Sequence, residues 1–114
     1  MLASRFRLKN KSSFFEVEEK GVVYQSESFG VASLKKDEKD DTLFGFVVSS
    51  KISKDAVVRN KIKRSLHEAC RMNYSYIKPG HYIVFLVKPQ AVGKSTSLLM
   101  AETKEALEKA KLFK

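Results

Sequence analysis

With 114 residues, 43% of them hydrophobic and 31% charged, the chain has material for one modest core and none for a second. Its 22 Lys and Arg against 13 Asp and Glu leave a net charge of +9, which points to a polyanionic partner, nucleic acid before a membrane surface. Cys70 is the only cysteine, which excludes an internal disulfide or a paired-cysteine metal site. The longest apolar run, Tyr82 to Val87, is strand-sized and too short to span a membrane. The segment Met1 to Arg7 lacks the apolar stretch of a signal peptide, so a cytoplasmic location is expected.

Arg5, Arg7, Lys9 and Lys11 open the chain as alternating cations. Ser13 to Glu16 has the spacing of a capping box, Asn10 is an alternative cap and Gly21 a stop, predicting a helix over Lys11 to Lys20. The β-branched and aromatic stretch Val22 to Leu34 predicts a strand. The charge run Lys35 to Asp41 predicts a solvated loop. Leu43 to Ser49 predicts a second strand, apolar on both sides and therefore covered on both faces. Asp55 caps a long helix reaching Met72, and Lys78-Pro79-Gly80 leads to a strand from His81 to Lys88, ended by Pro89. Ser95-Thr96-Ser97 offers caps for a last helix to Leu112. The order helix, strand, strand, helix, strand, helix, without repeat or linker, predicts a single α+β domain over residues 1–114.

The segment Lys51 to Arg71 is the informative part. It holds seven cations, Lys51, Lys54, Arg59, Lys61, Lys63, Arg64 and Arg71, against Asp55 and Glu68, a net +5. At about 100° per residue, Val58, Ile62, Leu66, Ala69 and Cys70 form one apolar arc. Arg59, Asn60, Lys63, Arg64, His67 and Arg71 form the adjoining arc, with Lys61 flanking it. A structural helix normally intersperses acids to relieve such repulsion, so a polyanion-binding face is favoured over a merely solvated one. Arg supplies planar paired donors to phosphate, Lys a mobile point charge, and Asn60 both a donor and an acceptor.

Catalysis by the chain itself is not expected. His67 and His81 are the only histidines and have no nucleophile at a recognisable spacing. Asp40-Asp41 lies in a charged loop and lacks the converging oxygens of a cation site. Cys70 falls on the apolar arc and is expected to be a buried small hydrophobe. Gly93-Lys94-Ser95 lacks the preceding glycine of a phosphate loop.

Arg59-Asn60-Lys61-Ile62-Lys63-Arg64, preceded by Ala56-Val57-Val58, resembles the signature helix of the bacterial ribonuclease P protein family. The similarity continues in Arg7-Leu8-Lys9 with Phe14 and Lys20-Gly21, in Phe44 to Ser49 before Lys51, in Lys78-Pro79-Gly80, and in Tyr82 to Pro89. The resemblance implies an αβββαβα-like order, with a central, mostly antiparallel four-stranded sheet and a left-handed crossover around the basic helix. It also implies a protein that binds a large catalytic RNA and helps remove the 5′ leader of precursor tRNA. In such a complex the RNA holds the Mg²⁺ and performs the hydrolysis, and the protein carries no cofactor or metal and no catalytic residue.

Carried onto this chain, the resemblance assigns the catalytic-RNA surface to Arg59, Asn60, Lys61, Lys63, Arg64, His67 and Arg71. It assigns a leader cleft to Phe14, Val17, Phe29 and Lys51, with Arg7 and Lys9 at the rim. A monomer in the complex, with no membrane partner, is expected. The sequence departs from the family pattern at Lys61 and His67 (usually Arg), Ser50 (commonly Lys), Glu18 (often aromatic) and Ala32 (often Tyr). The alternatives are a ribosomal or general RNA-binding scaffold and, third, a basic membrane-surface protein, against which the lack of an exposed apolar amphipathic segment counts.

Overall fold

A computed structural model describes residues 2–114. In chain order the elements are α1 (Lys11–Lys20), β1 (Val22–Gln25), β2 (Phe29–Lys35), β3 (Leu43–Val47), α2 (Ala56–Asn73), β4 (His81–Val87) and α3 (Thr96–Lys109). Short 3-10 turns occupy Ser4–Phe6, Tyr74–Tyr76 and Pro89–Ala91.

The stretch expected as one strand from Val22 to Leu34 is a hairpin. Ser26-Glu27-Ser28 interrupts it, and the Ser26 N–H donates to the Phe29 carbonyl at 2.9 Å, so two antiparallel strands replace one. The turn is held from outside. The Glu102 carboxylate on α3 accepts from the Ser28 backbone N–H at 2.8 Å and from both serine hydroxyls, and Lys94 approaches it at 3.2 Å. The break is therefore fixed by a residue more than 70 positions away.

The strands form one sheet in the order β1-β2-β4-β3. β4 is antiparallel to β2 and parallel to β3. Parallel neighbours cannot be joined by a tight turn, and α2 supplies the crossover between them. Strand alternation sorts the side chains into two layers. Phe29, Val31, Phe44, Ile83, Phe85 and Val87 face the main core with Ile62, Leu66 and Cys70 of α2 and Leu99, Ala106 and Leu107 of α3. Phe85 sits between Phe46, stacked at 5.3 Å, and Phe29, edge-on at 5.4 Å. Burying a ring of that size contributes roughly 1.5–3 kcal/mol. On the other face α1 lays Val17 over Ala32 and Val84, with Leu8 beside them.

Two further local expectations change. The Ser13–Glu16 capping box does not form: Asn10 occupies the cap position without a side-chain bond, and Glu16 instead pairs with Lys36 at 3.0 Å. Gly21 does end the helix, its N–H bonding the Val17 carbonyl. β3 is an edge strand whose α1-side face is covered at Gly45 but open at its last residue, Val47, rather than covered throughout. Asp55 and Ser95 cap α2 and α3 as expected, accepting from the N–H groups of Val57 and Leu98.

Candidate RNA interface

The helix α2 buries Ile62, Leu66, Ala69 and Cys70 and leaves Asn60, Lys61, Lys63, Arg64 and Arg71 exposed. Arg7 comes alongside it from the N-terminal segment, which is anchored on the sheet by a parallel bridge between Arg7 and Phe44. The Arg7 guanidinium donates to the Leu2 carbonyl through Nε at 3.1 Å and Nη2 at 2.9 Å. Arg7, Asn60, Lys63, Arg64 and His67 line a depression of about 290 Å³. A smaller one, about 110 Å³, shares Arg7, Lys63 and His67 with it and adds Leu8, Phe14, Phe44, Gly45 and Phe46. A third, about 310 Å³, shares Phe14 and adds Lys11, Phe15, Glu18 and Val47.

Three adjoining depressions thus lead from the cationic face of α2, past Arg7, to an aromatic groove between α1 and the open face of β3. Glycine at position 45 is required for this path. A Cβ there would collide with the Phe14 ring, whose Cε1 and Cζ atoms pack closest to the glycine. One end offers guanidinium and ammonium groups for phosphates, and the other offers aromatic faces for unstacked bases, the combination that single-stranded nucleic acid uses.

The Ribonuclease P family model matches residues 2–111. The chain belongs to the ribonuclease P protein family. Its function is that of a ribonuclease P protein component in tRNA 5′ processing. It is 36% identical to the ribonuclease P protein component of Rippkaea orientalis, over 94% of this chain and 87% of that protein. The RNase P protein of Staphylococcus aureus superposes with a TM-score of 0.88 at 28% identity, covering 96% of this chain and 98% of that one. That of Thermotoga maritima does so with a TM-score of 0.80 at 26% identity, covering 90% and 96%.

Against the surface inferred from the family signature, the structure brings Asn60, Lys63 and Arg64 together and makes three corrections. His67 sinks beneath the cationic depression rather than standing on its surface: it is 2% exposed, its ring lies 4.3 Å from that of Phe46, and Nδ1 has no hydrogen-bond partner. Burial, reinforced by the charges of Arg7 and Lys63, holds its pKa down at about 4, so the imidazole is neutral near pH 7 and cannot stand in for an arginine. Val17 and Phe29 are fully buried, one under α1 and one in the main core, and present no face to a ligand. Ala32 is buried beside Val17.

Other assigned residues are divided. Arg59 is half-buried and spends one donor on the Ser53 carbonyl at 2.7 Å. Arg71 is ion-paired with Glu68. Lys61 is exposed but stands apart from the lined depressions, as do Lys9 before α1 and Lys51 in the loop after β3. Arg7 is less a rim residue than the junction between the two surfaces. Phe15, two-thirds exposed in the groove, was not among the expected residues. The Phe14-Phe15 doublet carried that signal, because adjacent helical side chains diverge by about 100° and cannot both turn inward. Cys70 is fully buried and its thiol is pushed up by desolvation, as befits a core residue. Among the described residues no group of His, Cys, Asp and Glu gathers as metal ligands, and no helix is long and apolar enough to cross a membrane.

Proposed function

We propose that the chain binds the RNA of ribonuclease P through Arg7, Arg59, Asn60, Lys61, Lys63 and Arg64, and receives the 5′ leader of precursor tRNA in the groove of Phe14, Phe15 and Val47. Phosphodiester hydrolysis belongs to the RNA and its Mg²⁺. The protein's work is to neutralise backbone phosphates and to hold the leader in line with the cleavage site. It acts as a monomer in a cytoplasmic complex. One observation carries this reading: Arg7 and Lys63 line both the cationic depression and the one that Phe14 shares with the groove. An RNA chain entering along α2 can therefore pass to the aromatic groove without leaving cationic surface.

The deciding experiment is cleavage of precursor tRNA by the cognate RNA at low Mg²⁺, with and without the protein. Stimulation is expected, because the protein's cations replace part of the counter-ion screening that Mg²⁺ otherwise supplies. No stimulation of a cognate RNA refutes the proposal. Equal affinity for leader-bearing and leaderless tRNA, with co-purification on ribosomal subunits, would favour a general RNA scaffold.

A further inference from the structure

A second aromatic patch lies at the far end of α2, outside the surfaces described above. The 3-10 turn Tyr74–Tyr76 splits its two tyrosines. Tyr74 turns inward, its ring 4.5 Å from Phe6 and 6.1 Å from Phe44. Tyr76 turns outward and is 63% exposed. The segment Leu112 to Lys114 is stitched to this turn by an antiparallel bridge between Ile77 and Phe113, made of two backbone bonds: Lys114 N–H donates to the Tyr76 carbonyl at 2.8 Å, and Lys78 N–H to the Leu112 carbonyl at 2.8 Å. Phe113 is consequently fixed beside Tyr76, ring centroids 6.4 Å apart.

Ser75, Tyr76, Lys104, Glu108, Phe113 and Lys114 line a depression of about 320 Å³. Among the described residues neither Lys104 nor Lys114 is held by an acid, whereas Lys109 on the same helix is paired with Glu105 at 3.1 Å. An exposed tyrosine that is rigid on its backbone loses little entropy when a ring stacks on it, and free ammonium groups at its edge suit phosphates. A folded-protein partner would favour a broader apolar centre, depleted of charge, inside a polar rim. The patch has unpaired cations, and it directly follows the helix that carries the RNA-facing charge.

We infer that Tyr76 and Phe113, flanked by Lys104 and Lys114, form a second single-stranded RNA site, with a base stacked on Tyr76 and its flanking phosphates held by the two lysines. Glu108 can accept from the N3–H of a uracil stacked there. The site goes beyond the leader groove and takes a different stretch of RNA.

The test is an NMR titration of the ¹⁵N-labelled full chain with a short single-stranded oligouridylate. Backbone resonances of Tyr76, Phe113 and Lys114 are expected to shift with their own saturation curve. They should do so equally in Phe14→Ala, which removes the groove aromatic. Tyr76→Phe keeps the ring and should bind as wild type, and Tyr76→Ala should bind about tenfold more weakly at this site. Lys104→Gln with Lys114→Gln, both at exposed positions, should weaken the site and flatten its salt dependence by about 1.4 units. Shifts confined to α2 and the groove, with Tyr76 unmoved, overturn the inference and leave the proposed function intact. A response of Tyr76 to an acidic peptide but not to oligouridylate overturns it in favour of a protein partner.

Discussion

The imidazole of His67 lies against the ring of Phe46, centroids 4.3 Å apart and planes inclined by 31°, in the middle of what the helical wheel paints as a cationic face. Phe46 is itself stacked on Phe85, so the histidine forms the outer leaf of a three-ring pile reaching into the core. This contact takes one position out of the polar face and gives it a pH dependence.

The folded-state pKa of His67, about 4, lies below the unfolded value of about 6.5. As pH falls below 6.5 the unfolded chain takes up a proton that the folded chain refuses, so stability is lost from pH 6.5 down to 4 and is constant above it. Urea unfolding should find the protein about 2 kcal/mol less stable at pH 5 than at pH 7.5. His67→Leu should abolish that difference. A variant that keeps the same acid slope would show that another group is responsible.

Glu102 acts in a lower window. Burial works against its charge, but the Ser26 and Ser28 hydroxyls, the Ser28 N–H and Lys94 outweigh that and bring its pKa to about 2. Its contribution is present above pH 4.5 and disappears as pH falls through 2. Glu102→Gln should cost about 2 kcal/mol at neutral pH, because charge-assisted bonds to the β1–β2 turn are replaced by neutral ones. The gap to wild type should close on acidification below pH 4.5. A gap that persists at pH 2 would mean that the loss is one of packing.

The contact between Phe14 and position 45 gives a test of the groove that leaves the main core alone. Gly45→Ala pushes a methyl group into the Phe14 ring and should tilt it off the strand. Affinity for leader-bearing precursor tRNA should fall by roughly tenfold, in keeping with about 1–3 kcal/mol for a lost stack, while mature tRNA binds as before. Phe14→Ala should do the same. Equal losses for both RNAs would remove the groove from leader recognition.

Where local rules decide, the fold was legible. Asp55 and Ser95 cap as read, Gly21 terminates α1, and the apolar arc of α2 from Ile62 to Cys70 is buried. What escaped depends on distant partners. The break at Ser26-Glu27-Ser28 is set by Glu102, Glu16 is drawn from its capping role by Lys36, and His67 is covered by β3 and the N-terminal segment. A wheel projection treats the helix as a free cylinder and cannot know which part of its polar face a neighbouring strand will reach. Family resemblance carries no information on the depth of a side chain, and Val17 and Phe29, assigned through it to a cleft, are core residues.

The central claim is that α2 meets RNA through charges that are free to be neutralised. It is tested most directly by the salt dependence of binding to the ribonuclease P RNA. With Arg7, Arg59, Lys61, Lys63 and Arg64 each meeting a phosphate, the log–log slope should be about −4. Arg64→Gln should flatten it by about one unit, whereas Arg71→Gln, whose guanidinium Glu68 already neutralises, should change it far less. A slope that is unmoved by Arg64→Gln, or moved equally by both variants, would contradict the account.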